Sequence, residues 1–212
     1  MYDIVIIGAG GFAREVHAWL PEVYSAETHR FRGFLGREPD AGAAPLLGDP
    51  LDYTPQAEDR FILAIGDLDA RARLVGALSD KGATFISFIH PQSIVSASSR
   101  IGQGTVIYPY AVVSNGAKIG DFAHLSLYAS AGHDADVGRN CYLSPYATLN
   151  GGSRIADNVF LGSHATVGPQ VTVGRNSTVS ANSCALRNVP DESFVFGVPG
   201  TAAPKLAATT EV

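Results

Sequence analysis

Between Ile89 and Cys184 the sequence repeats every six residues, as residues 101–124 show when they are written in sixes: IGQGTV IYPYAV VSNGAK IGDFAH. The first position of each hexapeptide is aliphatic from Ile89 to Val179, with Ala131 as the one small exception. The fifth position is mostly small, and the second is often glycine. A fixed short period of this kind is the signature of a stacked solenoid.

The period of six predicts a parallel β-helix. It matches neither the 3.6-residue period of a helix nor the two-residue alternation of a half-buried strand. Each hexapeptide would form one short strand and one corner, with the aliphatic residue in the core and the small residue where the corner tightens. With three hexapeptides to a coil, residues eighteen apart stack at the usual strand spacing of roughly 4.8 Å. Stability then comes from stacking many coils, because each coil contacts only its neighbours.

Composition and charge limit the possible functions. The chain has 212 residues, of which 46% are hydrophobic and 17% charged, so it can bury a core in one or two domains. A net charge of −5 without a Lys/Arg cluster disfavours nucleic acid as a partner. The apolar run Ile4–Ile7 is too short for a signal peptide or a membrane span, so no membrane insertion is expected. Cys141 and Cys184 make no disulfide framework and are interpreted as reduced thiols, which predicts a cytoplasmic protein.

Residues 1–20 predict a buried strand, a glycine turn and a helix. Gly8–Ala13, GAGGFA, fits the G-x-G-x-x-G/A fingerprint, in which backbone amides at a helix N-terminus bind phosphate. A dinucleotide fold also needs an acidic residue at the end of its second strand, but the strand predicted at Phe31–Leu35 ends in Gly36-Arg37. This disfavours NAD and FAD and leaves a phosphate-bearing ligand such as a nucleotide sugar.

Further elements complete a small Rossmann-like α/β domain. Phe61–Ile65 is predicted as a strand, Asp69–Leu78 as a helix and Thr84–Ile89 as a last strand. The hexapeptides begin there, so the predicted domains are residues 1–88, which bind the nucleotide sugar, and residues 89–212. In an open parallel sheet the ligand crevice lies at the carboxyl ends of the strands. The residues expected to line it are Gly8, Gly10, Gly11, Phe12, Gly36 and Asp67.

The hexapeptide period ends after Cys184, where a C-terminal cap is predicted. Repeat proteins need a cap because the last coil otherwise exposes its apolar interior. Phe194 and Phe196 are expected to cover that coil, and residues 201–212 are expected to be frayed.

Three parts of the chain together resemble one known family. They are IVIIGAGGFAREV at residues 4–16, then FILAIGD at 61–67 with FISFIHP at 85–91, and a run from residue 120 through AGHDADVG at 131–138 to VPDESFVFGVPG at 189–200. This combination resembles the hexapeptide-repeat sugar O-/N-acyltransferases, which acetylate amino groups of nucleotide-linked sugars in bacillosamine, perosamine and sialic acid pathways. The resemblance implies a left-handed β-helix. It also implies an acetyl-CoA-dependent N-acetyltransferase, without a metal, that acts on a nucleotide-linked amino sugar of the 4-amino-4,6-dideoxy type.

The resemblance also implies catalytic residues. The general-base motif of the family matches GHDADVG at residues 132–138, which places the base at His133 and its acidic companion at Asp134. An imidazole is suited to removing a proton from an amine that attacks a thioester. Two positions depart from the family: Ser126 replaces an asparagine, and Tyr142 replaces a histidine near the acetyl-CoA thioester. Either change bears on substrate orientation or on the acyl donor.

The repeat also indicates where the acyl donor would lie. Gly151-Gly152 follows His133 by one coil and is interpreted as a strip without side chains, along which pantetheine amides could bind. His124, Tyr142 and Phe160 are eighteen apart and predict an exposed aromatic stripe, which fits a subunit contact as well as a ligand contact. Further candidates for binding the coenzyme A tail are Gly162, Ser163, Gly197 and Lys205.

A homotrimer is predicted. A prism-shaped solenoid has flat outer faces, and a site built from one corner would be too exposed to enclose a long cofactor. Three packed prisms make three clefts, each able to hold coenzyme A between neighbours, and closed cyclic symmetry is the usual outcome.

Other functions stay open on the residues alone. A metal hydro-lyase of the carbonic anhydrase type uses the same solenoid and needs three histidines on one metal. His124, His133 and His164 are candidates, but offsets of nine and thirty-one residues put them in different columns. A sugar O-acetyltransferase of the sialic acid type and a non-catalytic nucleotide-sugar-binding protein are further alternatives. The sugar, its nucleotide, the acyl group and the choice between nitrogen and oxygen are left open.

Overall fold

The computed structural model describes residues 1–36 and 44–205, which form an α/β region followed by a parallel β-solenoid. This confirms the predicted order of an α/β part and a parallel β-helix. Among the described residues, no helix is long and apolar enough to cross a membrane.

The α/β region is built on a three-stranded parallel sheet. Its elements are β1 (Tyr2–Ile7), α1 (Gly11–Val23), β2 (His29–Leu35), β3 (Asp59–Leu63) and α2 (Leu68–Asp80). The strand order is β2-β1-β3, and the last residue of β1 pairs with the last residue of both neighbours, so all three strands end at one edge. β1 is buried on both sides because its alternate residues pack against α1 and against α2.

The predicted last strand, Thr84–Ile89, is wrong as a single element. Phe85 makes an isolated parallel bridge to Phe61, whereas β4 (Phe88–Ile89) is the first strand of the solenoid. The chain leaves the α/β sheet here because the first amide of β4 donates to the Thr105 carbonyl oxygen of the next coil at 2.8 Å. The predicted domain division between residues 88 and 89 stays a prediction, and β4 straddles it.

The solenoid consists of two-residue strands joined by corners. After β4 they are β5 (Ile94–Val95), β6 (Arg100–Ile101), β7 (Val106–Ile107), β8 (Val112–Val113), β9 (Lys118–Ile119), β10 (His124–Leu125), β11 (Ser130–Ala131), β12 (Asp136–Val137), β13 (Tyr142–Leu143), β14 (Thr148–Leu149), β15 (Arg154–Ile155), β16 (Phe160–Leu161), β17 (Thr166–Val167), β18 (Thr172–Val173), β19 (Thr178–Val179) and β20 (Cys184–Ala185).

These strands form the three faces of a prism. Face 1 contains β4, β7, β10, β13, β16 and β19, face 2 contains β5, β8, β11, β14, β17 and β20, and face 3 contains β6, β9, β12, β15 and β18. Neighbours on each face are parallel and eighteen residues apart, which confirms three hexapeptides to a coil. We call the corners 1–2, 2–3 and 3–1 after the faces that they join.

A left-handed backbone conformation recurs at the corners. It falls three positions after the aliphatic residue, where φ is 59° at Tyr128, 57° at Asp134 and 54° at Asn140. At three such positions the residue is glycine, which adopts this conformation without a steric penalty: Gly104, Gly116 and Gly152. Between corners, the aliphatic first positions and small fifth positions fill the interior.

The residue that closes the last coil differs from the prediction. β21 (Ser193–Phe196) extends face 1 beyond β19. Val195 is 1% exposed and fills the coil, whereas Phe194 and Phe196 are 38% and 50% exposed. Strand alternation explains the reversal, because Val195 pairs in register with the inward-facing Val179 and its two neighbours therefore point outward.

The predicted fraying of the C-terminus is wrong where the structure describes it. β22 (Thr201–Pro204) pairs antiparallel with β21 and so belongs to the cap. Residues 206–212 lie outside the described residues.

The α/β region packs on face 1 and on corner 3–1 of the solenoid. From α1, Phe12 and Trp19 meet Tyr108 edge-on, with ring centroids 5.8 and 4.9 Å apart. From α2, Arg71 donates a hydrogen bond to the side chain of Asn140 at corner 3–1. The carboxyl edge of the sheet is therefore held beside the solenoid.

Candidate active site

A crevice of about 470 Å³ lies at the carboxyl edge of the sheet. As predicted, the glycine turn reaches it, and its lining includes Gly8, Gly10, Gly11, Phe12 and Gly36. Arg37, which follows, lies outside the described residues. The crevice needs glycine on steric grounds: a Cβ on Gly36 would come within 2.9 Å of the Ala9 Cβ, and Gly8 has φ +116°. The structure therefore brings five of the six predicted residues to one crevice.

The amino terminus of α1 opens into the same crevice. Gly10 is the N-cap residue and offers no side chain, so the first amides of α1 have no side-chain acceptor. Arg73 of α2 is exposed and also lines the crevice. Backbone amides, a helix N-terminus and a guanidinium together favour a phosphate group. The sequence carries Arg73 only as a helix residue, with no signal that it faces the glycine turn.

Asp67 does not share this crevice. Its carboxylate caps α2 by accepting a hydrogen bond from the Ala70 amide at 2.7 Å. It lines a second groove, of about 860 Å³, between the start of α2 and the last coils of the solenoid. Lys205 lines the same groove, and the two cavities meet at Gly66. Asp67, a predicted contact of the sugar nucleotide, and Lys205, a predicted contact of coenzyme A, thus line the same groove.

A buried arginine holds α2 against the solenoid. Arg71 is fully buried and donates to the Ile65 carbonyl at 2.8 Å, to the Asn140 side-chain oxygen at 2.9 Å and to the Phe122 carbonyl. Burial lowers the pKa of Arg71 to about 10, so the guanidinium keeps its charge at neutral pH. Because Ile65 lines the crevice, Arg71 connects the crevice wall directly to corner 3–1. Nothing in the sequence marked this residue as buried.

The predicted aromatic stripe is aligned as expected but is not an exposed surface. His124 pairs with Tyr142, and Tyr142 with Phe160, along face 1. However, His124 is fully buried, with the rings of Phe12 and Tyr142 at 4.6 and 4.4 Å. His124 and Tyr142 are covered because their column faces Phe12 of α1, which the repeat pattern alone does not show, whereas Phe160 is half-buried and lines the second groove. Burial raises the pKa of Tyr142.

His124 has an unusual environment. Within residues 1–36 and 44–205, neither of its ring nitrogens has a hydrogen-bond partner. Burial, and then the positive charge of Arg71, hold the pKa of His124 well below its usual value. The imidazole is therefore neutral and serves as an aromatic packing group under Phe12.

His133 and Asp134 form a pair on corner 2–3. The imidazole Nδ1 lies 3.0 Å from the Asp134 Oδ2, and both side chains are 70% exposed. A carboxylate that accepts the Nδ1 proton leaves Nε2 unprotonated and able to take a proton from a substrate. Asp134 is held in place by its left-handed backbone, with φ 57°. The arrangement is that of an imidazole base with an orienting carboxylate.

Two glycines in adjacent coils make room for this pair. A Cβ on Gly151 would collide with the His133 imidazole, and a Cβ on Gly116 would lie 2.5 Å from the Asp134 Oδ1. The interpretation of Gly151-Gly152 as an empty strip is therefore wrong at Gly151, because the imidazole covers it. Gly152 donates its amide to the His133 carbonyl at 2.8 Å, which fixes the spacing of the two coils.

The other predicted contacts of the acyl donor are dispersed. Ser126 is buried beside face 1, and Gly162 and Ser163 follow β16 at corner 1–2. Gly162 is required by packing, since its Cβ would lie 2.5 Å from the Ala181 amide nitrogen. Gly197 has φ +89° and follows β21 in the cap.

One chain does not bring the two halves of the predicted site together. The crevice lies over face 1 and is closed by α2 on corner 3–1, whereas His133 lies on corner 2–3. Within the part of the chain that the structure describes, no group of three or more His, Cys, Asp or Glu side chains is placed to hold a metal ion. His124, His133 and His164 lie on face 1, corner 2–3 and corner 1–2, in separate columns as expected.

Comparisons with protein families match both parts of the chain. Residues 3–78 match the PglD N-terminal domain. Residues 152–184 match the bacterial transferase hexapeptide (six repeats). A curated relative, the UDP-N-acetylbacillosamine N-acetyltransferase of Bacillus subtilis (strain 168), is 31% identical over 113 residues. That alignment covers 50% of this chain and 51% of the relative, so it spans about half of each.

Solved structures match nearly the whole chain. PerB from Caulobacter crescentus, solved in complex with CoA and GDP-perosamine, superposes with a TM-score of 0.87 at 31% identity over 96% of this chain and 98% of that one. The acetyltransferase domain of PglB from Neisseria gonorrhoeae FA1090 superposes with a TM-score of 0.88 at 26% identity over 96% of this chain and 100% of that one. Both the α/β region and the solenoid are therefore shared with these proteins.

Proposed function

The chain belongs to the hexapeptide-repeat sugar acyltransferases, and we propose that it transfers an acetyl group from acetyl-CoA to the amino group of a nucleotide-linked sugar. The observation that carries this proposal is the presence, on one chain, of a glycine crevice suited to phosphate and an exposed His133–Asp134 pair. The names of the relatives support it, since PerB was solved with CoA and GDP-perosamine. A 4-amino-4,6-dideoxy sugar is the proposed acceptor.

The proposed reaction uses His133 as general base. The sugar amine attacks the thioester carbonyl carbon, the carbon–sulfur bond breaks and the coenzyme A thiol leaves. His133 Nε2 takes the proton that the amine loses, and this proton can pass on to the departing sulfur. Asp134, hydrogen-bonded at Nδ1, holds the ring orientation and stabilises the imidazolium that forms.

The acceptor would bind through its diphosphate in the crevice. Amides at the start of α1, from Gly10 and Gly11, supply donors, and the exposed guanidinium of Arg73 supplies charge. Gly8 and Gly36 allow close approach of the backbone, and Phe12 closes the wall against face 1. Asp67 and Ser126 remain proposed contacts of the sugar.

The acyl donor would bind along the solenoid. Proposed contacts near the thioester and pantetheine are Tyr142 and Gly152. Those proposed for the coenzyme A tail are Gly162, Ser163, Gly197 and Lys205. Of the two glycines next to His133, Gly152 keeps the role of an open strip. The nearest atom to a Cβ added there would be the Gln170 Cγ, at 3.6 Å.

A complete site requires more than one copy of the chain. The crevice and His133 lie on different sides of one protomer, so a neighbour has to supply the missing half. We therefore propose a homotrimer, with one site in each of the three clefts that cyclic packing creates. Cytoplasmic localisation is part of the same proposal, because Cys141 and Cys184 are both free thiols.

A panel of nucleotide-linked 4-amino sugars with acetyl-CoA tests this function. We expect release of coenzyme A thiol together with an acetylated sugar identified by mass spectrometry. Matched sugars that carry a hydroxyl in place of the amine serve as controls, and we expect them to react far more slowly. Thiol release no faster than in the absence of the protein for every sugar would exclude the transferase, and tight sugar binding in that case would identify a non-catalytic binding protein.

A further inference from the structure

A small pocket lies between α2 and corner 3–1 of the solenoid, with a volume of about 290 Å³. We call it the α2 pocket. Its lining includes two residues of the helix and four of the solenoid: Ala72, Val75, Phe122, Arg139, Asn140 and Asp157. None of the residues proposed above to bind the acceptor or the acyl donor lines it. The proposed reaction therefore makes no use of this pocket.

The α2 pocket and the crevice lie on opposite sides of the same helix. The crevice is lined by Ala70, Arg73 and Leu74, and the α2 pocket by Ala72 and Val75. Successive residues of an α-helix are about 100° apart around its axis, so the two sets point about 180° away from each other. A ligand in the α2 pocket therefore leaves the crevice free.

The floor of the α2 pocket is apolar and closely packed. Phe122 is 2% exposed and meets the ring of Phe85 edge-on, with ring centroids 5.0 Å apart. Val75 is also buried. Asn140 is 4% exposed, and both of its amide hydrogens already donate to oxygen atoms of α2 and of corner 3–1. The floor thus offers a ligand apolar surface rather than hydrogen bonds.

A guanidinium and a carboxylate stand beside this floor without pairing with each other. Arg139 and Asp157 are both exposed, and the Asp157 Oδ1 accepts a hydrogen bond from the Arg139 backbone amide at 2.7 Å. The guanidinium lies over the ring of Phe122, with its Cζ 5.5 Å from the ring centroid. Among the residues that the structure describes, neither the guanidinium nor the Asp157 Oδ2 has a hydrogen-bond or ion-pair partner.

The equivalent residues two coils later do form an ion pair. Asp191 Oδ1 accepts a hydrogen bond from the Arg175 backbone amide at 3.0 Å, as in the earlier pair. Here, however, the Arg175 Nε also donates to the Asp191 Oδ2 at 2.8 Å. The same backbone contact therefore allows the side chains to pair, and only next to the α2 pocket do they stay apart. Two unpaired opposite charges at an apolar floor are groups that can fix the orientation of a ligand.

We propose that the α2 pocket binds a small zwitterion with an apolar side chain, of the α-amino-acid type. The Arg139 guanidinium binds the ligand carboxylate, the Asp157 Oδ2 accepts a hydrogen bond from the ligand ammonium, and the apolar side chain covers Phe122 and Val75. This inference is independent of the proposed function.

Charge and volume favour this class of ligand. The α2 pocket carries one positive and one negative side chain, so a zwitterion leaves neither charge unpaired, whereas a phosphate would be repelled by the Asp157 carboxylate. A volume of about 290 Å³ is near the lower limit of small-molecule sites, which is roughly 300 Å³. Such a volume suits a ligand of the size of one amino acid.

Titrations of the full chain followed by saturation-transfer NMR test this site, with L-leucine and L-phenylalanine as probes. We expect saturable binding of at least one of them. N-acetyl-L-leucine lacks the positive charge and L-leucinamide lacks the negative one, so each should bind at least about fivefold more weakly than L-leucine. No saturable binding of either probe, or equal binding of L-leucine and both analogues, would overturn the proposal.

Variants locate the binding. Asp157→Asn keeps the oxygen that accepts the Arg139 amide and removes only the charge, and Arg139→Gln removes the guanidinium. Each should weaken binding of the better probe at least about fivefold. Ala72→Leu, at an exposed position of α2, fills the α2 pocket without removing a polar contact and should abolish binding. Arg175→Gln is the matched control on the same column and should bind like the wild-type protein.

Thermal unfolding shows whether each variant is folded, and the folded ones decide the outcome. Unchanged binding in Arg139→Gln or in Ala72→Leu would overturn the proposal, as would an equal loss in Arg175→Gln. No sugar or acetyl-CoA enters these experiments. Binding in the α2 pocket and the transferase function can therefore fail independently of each other.

Discussion

At the scale of single residues, a glycine decides where the proposed base lies. The His133 imidazole rests over Gly151 of the next coil, in space that any side chain would occupy. Gly151 has no left-handed φ, so alanine suits its backbone, and the three atoms nearest to an added Cβ all belong to the His133 imidazole. The same applies one coil earlier, where Gly116 faces the Asp134 carboxylate. The proposed base pair is thus positioned by two residues that carry no functional group.

Gly151→Ala should lower kcat by about tenfold or more, with little change in thermal stability, because the exposed imidazole can swing away without disturbing the core. Steady-state kinetics and thermal unfolding measure the two effects. In a His133→Ala background, Gly151→Ala should not lower kcat any further, since no imidazole is left to displace. Gly168→Ala is the control: its Cβ would come no closer than 3.3 Å to its neighbours, none of which belongs to the proposed base pair. Equal losses at both glycines would contradict the positioning role.

His124 predicts how stability depends on pH. Its folded pKa lies well below 6.5, so below about pH 6.5 the unfolded chain binds a proton that the folded chain does not. Stability from this group is therefore fully present above pH 6.5 and is lost as the pH falls. His124→Phe should remove this component, and at pH 7 should cost little or even stabilise, because both ring nitrogens are buried without partners. Denaturant unfolding of the wild-type protein and of His124→Phe between pH 5 and 8 measures this component. Unfolding free energies that change with pH in the same way in the two proteins would refute it.

The sequence was informative about His133 and uninformative about its surroundings. A motif of consecutive residues places the imidazole and its carboxylate, and the hydrogen bond between neighbours in the chain follows from it. The cover that the imidazole forms over Gly151 depends on side-chain direction across coils, which a repeat period does not encode. For the same reason His124 was expected to be exposed, although α1 buries it.

At the scale of elements, α2 connects the crevice to the solenoid. Arg71 and Arg73 lie two positions apart on this helix and therefore point in different directions. Arg71 is buried among oxygen acceptors from the turn after β3 and from corner 3–1, whereas Arg73 lines the crevice. The strand and helix pattern predicted α2 itself, but which arginine turns inward is settled by packing against a distant part of the chain.

The two arginines should therefore give opposite results. Arg71→Met should destabilise the fold by about 3 kcal/mol or more, because it leaves several buried oxygens unpaired. Arg73→Gln should leave stability within about 0.5 kcal/mol and should raise the KM for the nucleotide sugar, with the KM for acetyl-CoA unchanged. Denaturant unfolding measures the stability of each variant, and steady-state kinetics measure the KM for each substrate. A stable Arg71→Met, or an Arg73→Gln that weakens acetyl-CoA binding equally, would contradict this division of roles.

The period of six predicts the regular coils of the solenoid but not the orientation of side chains in its cap. Hexapeptides predicted the coil length, the interior and the pairing of columns, since each is a direct consequence of the period. The cap departs from that period: β21 follows β19 by sixteen residues, as the pairing of Val179 with Val195 shows. Ordinary strand alternation then determined which residue faced inward, and the two phenylalanines were left outside.

At the scale of the whole molecule, the crevice and the His133–Asp134 pair lie on different sides of one chain. The α/β region holds the crevice proposed for the acceptor over face 1, and the solenoid carries His133, the proposed base, on the far corner. On the proposed function a monomer has two half-sites, which the proposed trimer would bring together. Activity should accordingly be lost when the protein is diluted until it dissociates, and it should be lost together with the trimer mass seen by light scattering. Full activity in a sample shown to be monomeric would contradict assembly as a requirement.

The central proposal is that His133 removes the proton from the attacking amine, and replacement of this residue tests it most directly. His133→Ala should lower kcat by about 10²- to 10⁴-fold at saturating substrates, with the fold and its stability retained because the side chain is 70% exposed. Added imidazole should restore part of the rate by entering the space over Gly151. His29→Ala, at the start of β2 and away from the carboxyl edge of the sheet, should keep normal turnover. Near-normal kcat in His133→Ala, with the acetylated sugar confirmed by mass spectrometry, would show that His133 is not the base.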